Sequence, residues 1–525
     1  MSATEVVSLM AHWFNTAGPY KADIHYMLPP LARLPQLQRV IDQQGYFVLH
    51  APRQTGKTTA MLSLAKELTE AGRYAAVMVS VEVGAAFSNN TDAAELAILT
   101  DWARAAEVWL PADLQPPDWP EAAPGGRIAK SLAAWAKRLP KPLVLLIDEI
   151  DSLQDDVLLS LLRQLRAGYP ARPSSFPHAL ALIGLRDVRD YKVASGGSDR
   201  LNTASPFNIK VKSLTLANFT LAEVAELYGQ HTADTGQPFT QEAIAAAFSL
   251  TQGQPWLVNA LAKEVVEEII DDTSIAVESD RIYEAKERLV QRQDTHLDSL
   301  VERLREPRVR AIVEPMLAGQ DLGDIPADDR QFVVDLGLMR RDPAGGLAIA
   351  NPIYREVLPR MLAQGPQDSL PIISPSWLQA NGQLDVDKLL DAFLRFWRQH
   401  GEPLMKSAPY HEVAPHLVMM AFLHRVVNGG GTLEREYAIG TRRMDMCLRY
   451  GDVVLAMELK VWREGRPDPL TAGLTQLDRY LSGLGLSWGW LVIFDQRAQA
   501  DPIAERTRVE QATTQQGRQV TVVRG

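Results

Sequence analysis

At 525 residues the chain is too long for one hydrophobic core, and at roughly 100–200 residues per domain it divides into three or four. Its 46% hydrophobic and 22% charged residues are those of an ordinary globular protein, and a net charge of −10 excludes coating nucleic acid through bulk positive charge while leaving room for a local basic groove. The one cysteine, Cys447, excludes an intrachain disulfide framework and a Cys-based zinc cluster. The N-terminus lacks the basic start and apolar core of a signal peptide and no run of about 18 apolar residues exists, so the expectation is a cytoplasmic protein with no membrane partner.

Residues 46–50 (YFVLH) are a short apolar run that passes through APRQTGKTT into a helical pattern, AMLSLAKELTEAG, closed by Gly72 where a helix C-cap is expected. Further strand-like runs follow at 74–82 (YAAVMVSVE), 143–151 (LVLLIDEID) and 179–185 (ALALIGL). The run at 143 is apolar until its acids, as a strand buried on both faces should be. Strands alternating with helices predict a parallel sheet with helices on both sides. From about 216 to 290 amphipathic helices take over, interrupted by TQGQPW at 251–256. Residues 296–362 read as three helices and a hairpin turning at Pro343-Ala344-Gly345-Gly346, the parts of a winged helix. The segment 364–376, rich in Pro, Ser and Gly, reads as a linker. Two helices (about 384–400 and 413–427), the breaker NGGG at 428–431 and a strand-rich final segment complete the chain.

Ala51-Pro52-Arg53-Gln54-Thr55-Gly56-Lys57-Thr58 matches the P-loop pattern except that Ala51 replaces the first Gly. A tight loop before a helix N-terminus turns successive backbone N–H groups inward onto a phosphate, and the helix dipole adds to that field. Lys57 then neutralises the β- and γ-phosphates and Thr58 offers its hydroxyl to Mg²⁺, with Gln54, Thr55, Gly56 and Thr59 completing the contacts to ATP. About 90 residues on, Asp148 ends an apolar strand where it can hold the Mg²⁺ water shell, and Glu149 is placed to polarise an attacking water. The plainer reading is a buried strand that merely ends in acids. Arg186 and Arg189, just past the fourth strand, are either γ-phosphate sensors or surface arginines, and no arginine finger can be assigned.

On these motifs, residues 20–290 resemble the AAA+/STAND-type P-loop ATPases, with APRQTGKTT and LLIDEID as the two Walker motifs and 216–290 as their helical lid. The resemblance implies ATP binding and hydrolysis. Gly253-Gln254-Pro255 resembles the Gly-x-Pro element that such lids direct at the nucleotide, which implies that Pro255 touches it; a helix N-terminus with Pro at its first position reads equally well.

In the C-terminal segment, Gly451-Asp452 is a two-residue hairpin signal. It sets Tyr450 opposite Val453, and counting outward sets Asp445 opposite Glu458, with Glu458 and Lys460 on the face that Asp445 shares. Directly paired positions have Cβ atoms about 4.5–5.5 Å apart, where two carboxylates repel unless a hard cation such as Mg²⁺ or Mn²⁺ lies between them. Lys460 can steady an attacking hydroxide or the developing phosphorane charge. This segment resembles the PD-(D/E)XK nuclease superfamily, with Asp445 as the first acid and Glu458-Leu459-Lys460 as the (D/E)-x-K. Gln476 and Tyr480 stand as its Q-x-x-x-Y pair, and Glu412 is the nearest candidate for an upstream helix acid. Met444 stands where many members have Pro. An exposed cross-strand charge cluster is the alternative.

The fold expected is a multidomain α/β chain: a P-loop core over 20–215, a helical lid over 216–290, a winged helix over 296–362, a linker over 363–380 and a restriction-endonuclease-like domain over 384–525. The resemblance implies an ATPase that regulates a metal-dependent nuclease acting on nucleic acid, with ATP-dependent homo-oligomers. The alternatives are a regulatory switch whose last domain only binds nucleic acid or a protein, and a remodelling motor. In the winged helix, Arg303, Arg305, Arg308, Arg310, Arg340 and Arg341 alternate with Glu302, Glu306, Asp335 and Asp342, so a solvated face is at least as good a reading as a DNA reader. His411, His416 and His424 cluster near the proposed nuclease helix without metal-ligand spacing.

Overall fold

A computed structural model describes residues 12–185, 209, 211–292, 303–304, 306–317, 322, 324–342, 345–359, 376–407, 414–427, 431–439, 442–497 and 499–525. The chain forms two compact units, one of Met1–Asp294 with Pro326–Pro352 and one of Thr295–Ile325 with Ile353–Gly525.

The first unit is built on a five-stranded sheet in the order β2-β3-β4-β1-β5, parallel throughout: β1 Tyr46–His50, β2 Ala75–Ser80, β3 Leu143–Asp148, β4 Ala179–Gly184 and β5 Lys212–Thr215. Alternation along the strands sends side chains into two cores. Tyr46, Val48, Leu145, Ile147, Leu180 and Leu182 meet Trp102 and Trp135 from the helices Thr91–Trp109 and Arg127–Arg138. Phe47, Leu49, Val144, Leu146, Ala181 and Ile183 meet Ala60, Met61 and Leu64 of the helix Lys57–Glu70. The parallel sheet with helices on both sides matches the sequence expectation. Strand β5 adds to it: the run Lys-Ser-Leu-Thr is too short and polar to signal a strand, and it buries mainly Leu214.

The helical segment that follows begins with Leu221–Thr235, capped by Thr220 and Glu223 in a reciprocal capping box. Gln241–Thr251, Pro255–Glu264 and Ser279–Arg292 come next. The N-terminal segment is tied to these helices. Trp256 Nε1 donates to Thr16 O at 2.8 Å, and Gln230 bonds the backbone of Met27 on both sides, at 3.1 and 3.0 Å. Phe14 and Tyr26 are buried against Tyr228, His231 and Phe239.

The hairpin of β6 (Met339–Arg341) with β7 (Leu347–Ile349) forms as expected, pairing Met339 with Ile349, although Pro343 and Ala344 of its turn lie outside the described residues. It belongs to the first unit, whereas the helix Pro307–Leu317 belongs to the second. The arginines of this stretch are paired with acids: Arg303 and Arg308 with Glu306, Arg310 with Glu314, Arg340 with Asp342. Arg305 lies outside the described residues. Just before the hairpin, Gly337 has φ +78, and a Cβ there would lie 2.6 Å from Cβ of Pro52, so the chain turns directly against the loop after β1.

The second unit carries a six-stranded sheet in the order β12-β13-β11-β10-β9-β8, with β8 Gly431–Ile439, β9 Arg442–Tyr450, β10 Val453–Trp462, β11 Trp488–Asp495, β12 Arg508–Thr513 and β13 Gln519–Arg524. β8, β9 and β10 run antiparallel, while β11 lies parallel to β10. Tyr450 pairs with Val453, the register set by Gly451-Asp452. The helix Leu470–Leu484 covers one face through Leu477, Tyr480 and Leu481, packed on Ala456, Leu491 and Ile493. On the other face Trp397, from the helix Val386–Ser407, meets Phe494 with ring centroids 4.9 Å apart. Of the linker expected over 363–380, residues 363–375 lie outside the described residues and Trp377 is buried; among the described residues no helix is long and apolar enough to cross a membrane.

Gly253, between the second and third helices of the 221–292 segment, packs directly against the backbone that precedes the first. Gly253 has φ +70 and accepts from Phe219 N at 2.8 Å; a Cβ there would lie 1.9 Å from Phe219 O. Gly253→Ala is therefore expected to destabilise the protein by at least about 2 kcal/mol, read as a lowered thermal unfolding midpoint. An unchanged midpoint would contradict this close approach.

Candidate functional site

The carboxyl ends of β1 and β3 flank that of β4, and the site is assembled across this edge of the sheet. After His50 the loop leaves the sheet with Ala51 N donating to Gly184 O of β4 at 3.3 Å. Gln54 (φ 57) and Gly56 (φ +93) both take left-handed conformations, which lets the loop turn back on itself before the helix begins at Lys57. Thr55 is buried and donates to Pro52 O at 2.9 Å, bracing the turn.

Lys57 Nζ donates to Ala51 O at 2.7 Å and Pro52 O at 2.8 Å, so the ammonium sits inside the loop's curve. Burial lowers its pKa, while Asp151, Asp148 and Glu149 oppose that shift. Thr58 Oγ1 donates to Asp148 Oδ2 at 2.9 Å, which brings the two sequence motifs into direct contact. Asp148 is buried; desolvation raises its pKa, against the hydrogen bonds from Thr58 and from Glu149 N. Glu149 has φ 57, a conformation rare outside glycine, and projects to the exposed rim. Partial desolvation raises its pKa, and the charges of Asp148 and Asp151 add to the effect. Asp151 Oδ1 accepts from Leu185 N at 2.9 Å and ties this acidic turn to the end of β4.

Hard oxygen donors (Thr58 and Asp148) beside a lysine, at a helix N-terminus, suit a divalent cation carried in with a phosphate chain. Among the described residues no group of three or more His, Cys, Asp and Glu is placed to hold a metal ion by itself. Mg²⁺ commonly relies on one or two carboxylates with substrate phosphates supplying the rest.

A cleft adjoins the loop. Its walls come from the N-terminal segment (Tyr20, Met27, Leu28, Arg33), from Thr55, Gly56 and Thr59, and from Phe219, Leu227, Pro255 and Asn259. Tyr20 N donates to Thr59 Oγ1 at 3.2 Å. Arg33 donates to Ala217 O at 2.8 Å, reaches Thr55 O at 3.4 Å, and sits 4.8 Å from the Phe219 ring centroid. Pro255 occupies the first position of its helix, which Gln254 caps by accepting from Leu257 N at 2.6 Å. Its ring also lines the cleft, so the two readings of Gly253-Gln254-Pro255 are compatible. Sequence reasoning missed Tyr20, Met27, Arg33 and Asn259, which carry no motif. Arg186 and Arg189 lie outside the described residues.

In the second unit, Glu458 of β10 is fully buried, and Lys460 Nζ stands 2.6 Å from its Oε1. The β9–β10 pairing runs as far as Met446 with Met457; Asp445 and Glu458 are the next residues on the two strands, and the Asp445 side chain lies outside the described part. Gln476 Nε2 donates to the Tyr480 hydroxyl at 3.2 Å. Glu412 and His411 lie outside the described residues, and His416 is buried in the helix Ala414–Val427.

No protein-family model matches the chain, and no curated protein matches it. Solved structures do. A Walker-type ATPase of Pyrococcus abyssi is 13% identical over 66% of this chain and 99% of its own, with a TM-score of 0.47. The Holliday junction branch migration motor RuvB of Thermotoga maritima is 15% identical over 62% and 92%, with a TM-score of 0.33. The ORC2 protein of Aeropyrum pernix, in ADPNP–ADP complexes, is 15% identical over 68% and 97%, with a TM-score of 0.39. With TM-scores below 0.5, the functional reading rests on the strand order and the site geometry.

Proposed function

We propose that the first unit binds ATP with Mg²⁺ and hydrolyses it, and that its nucleotide state regulates a metal-dependent phosphodiesterase in the second. The observation that carries the first part is the 2.9 Å contact of Thr58 with Asp148, beside Lys57 and at the mouth of a left-handed loop. It joins residues 90 apart in sequence whose types are those a nucleotide triphosphate needs.

In this reading the backbone N–H groups of Gln54 to Thr59 hold the phosphates, and Lys57 exchanges its carbonyl partners for phosphate oxygens. Thr58 and Asp148 are the residues that would hold Mg²⁺, whose contribution there would be neutralisation of phosphate charge. Glu149, on the rim with a raised pKa, orients the attacking water and accepts its proton. Gly337 against Pro52 offers a contact through which a moving phosphate loop would press on the 326–352 segment.

The order of helix, three antiparallel strands, helix and parallel strand in the second unit supports a PD-(D/E)XK-like domain, as do the Glu458–Lys460 and Gln476–Tyr480 pairs. In such a domain Asp445 and Glu458 would hold Mg²⁺ or Mn²⁺, which would supply Lewis acidity, and Lys460 would stabilise charge on the attacked phosphate. A second reading keeps the domain as a non-cleaving binder of nucleic acid or protein in a regulatory switch with ATP-dependent homo-oligomers. The full burial of Glu458, already paired with Lys460, favours it.

Glu149→Gln is expected to lower ATP turnover at least about 100-fold while the ATP Kd stays within about 3-fold. Retained turnover would remove Glu149 from the mechanism, and wild-type protein that neither binds nor turns over ATP would defeat the whole reading. For the second unit, wild type is expected to cut labelled DNA or RNA with Mn²⁺ and Glu458→Ala to lose that cutting. A wild type inert on every substrate leaves the non-cleaving switch.

A further inference from the structure

One peptide group at the end of β4 joins the two halves of the site. Ala51 N, in the loop after β1, donates to Gly184 O at 3.3 Å, and Leu185 N donates to Asp151 Oδ1 at 2.9 Å. Gly184 O and Leu185 N are the two ends of the same trans peptide, so they point in opposite directions. β1 lies on one side of β4 and β3 on the other. The peptide therefore spans the gap between two motifs whose strands never touch. Its other partners are backbone groups, and Asp151 is the side chain that completes the bridge.

Glu149 stands two residues before Asp151, in the left-handed conformation φ 57, ψ 36. A non-glycine residue stays there only where its surroundings fix it from several directions. Behind it, its own N–H donates to Asp148 Oδ1 at 2.9 Å. Ahead of it, Ser152 N donates to Glu149 O at 2.9 Å and closes the turn Ile150–Ser152. Ile150 and Leu153 are buried and seat that turn in the core, while Asp151 ties it to β4. Resting on the reading of this site as an ATPase, we infer that Asp151 is a positioning residue for hydrolysis: bonded to the Gly184–Leu185 peptide, it holds Glu149 at a fixed distance from the phosphate loop. It acts through Glu149 and needs no contact with nucleotide. A shift of about 1 Å in a reacting group can cost on the order of 100-fold in rate, while the backbone N–H groups that hold phosphate stay as they were.

The test uses the full chain with two variants: Asp151→Ala removes the acceptor, and Asp151→Asn keeps an oxygen for Leu185 N but drops the charge. Asp151→Ala is expected to lower kcat for ATP at least about 30-fold with the Mg²⁺-ADP Kd within about threefold of wild type. Backbone hydrogen exchange of the Leu185 amide is expected to quicken at least about tenfold in the same variant. Asp151→Asn is expected to keep Leu185 protected and kcat within about fivefold of wild type. Unchanged turnover or unchanged exchange in Asp151→Ala overturns the inference, as does ADP affinity that falls as far as kcat does. Should Asp151→Ala fail to fold, Asp151→Asn still decides: turnover lost with Leu185 protected would assign the effect to charge and overturn positioning. A wild type that hydrolyses no ATP takes the inference down with the reading it rests on, and is recognised by turnover absent while Leu185 is protected.

Discussion

The hydrogen bond from Thr58 to Asp148 depends on the strand order of the sheet around it. β1 and β3 are neighbours of β4, not of each other, so the loop after β1 crosses the end of β4 before its helix begins. Gly184 at that end pairs with His50 and accepts from Ala51 N. Because all strands run parallel, every carboxyl end lies on the same edge, and Asp148 is delivered there by the same geometry that delivers Thr58. The acidic turn of Asp148, Glu149 and Asp151 is then held in place by Leu185 N. The burial of Asp148 next to Lys57 brings charges of both signs into a desolvated space, an arrangement characteristic of ligand sites.

The cleft beside this edge is made by three stretches of chain distant in sequence. The N-terminal segment is held against the helices of 221–292 by Trp256 and Gln230, Gly253 between those helices is held against Phe219, and Arg33 links the N-terminal wall to the loop after β1. None of the three can shift alone without breaking one of these hydrogen bonds or opening the aromatic packing around Phe14 and Tyr26. A nucleotide that touched all three would therefore stabilise the closed arrangement by mass action, which is how binding energy can become a change in domain state.

Much of the first unit was legible in the sequence because its signals are local. The apolar runs at 46–50, 143–151 and 179–185 mark buried parallel strands, and β1 starts and stops where its run does. Gly451-Asp452 set the β9–β10 register for an equally local reason, since a two-residue turn leaves one pairing. What stayed hidden is tertiary. Lys212–Thr215 is a strand only because β1 offers an edge beside it. Asn259 reads as one more helix-interior residue in PWLVNALAKE until the fold reveals the cleft it lines. The alternation of arginines and acids over 303–342 already allowed a solvated face, and the structure pairs Arg303, Arg308, Arg310 and Arg340 with acidic neighbours.

The central claim is that Thr58 and Asp148 act together on Mg²⁺-nucleotide. A double-mutant cycle on Mg²⁺-ADP affinity, with Thr58→Val, Asp148→Asn and both, tests it most directly. The account predicts that each single change weakens Mg²⁺-dependent binding at least about tenfold and that the double variant is little worse than either. Full additivity of the two losses, or affinity that neither change disturbs, would contradict it.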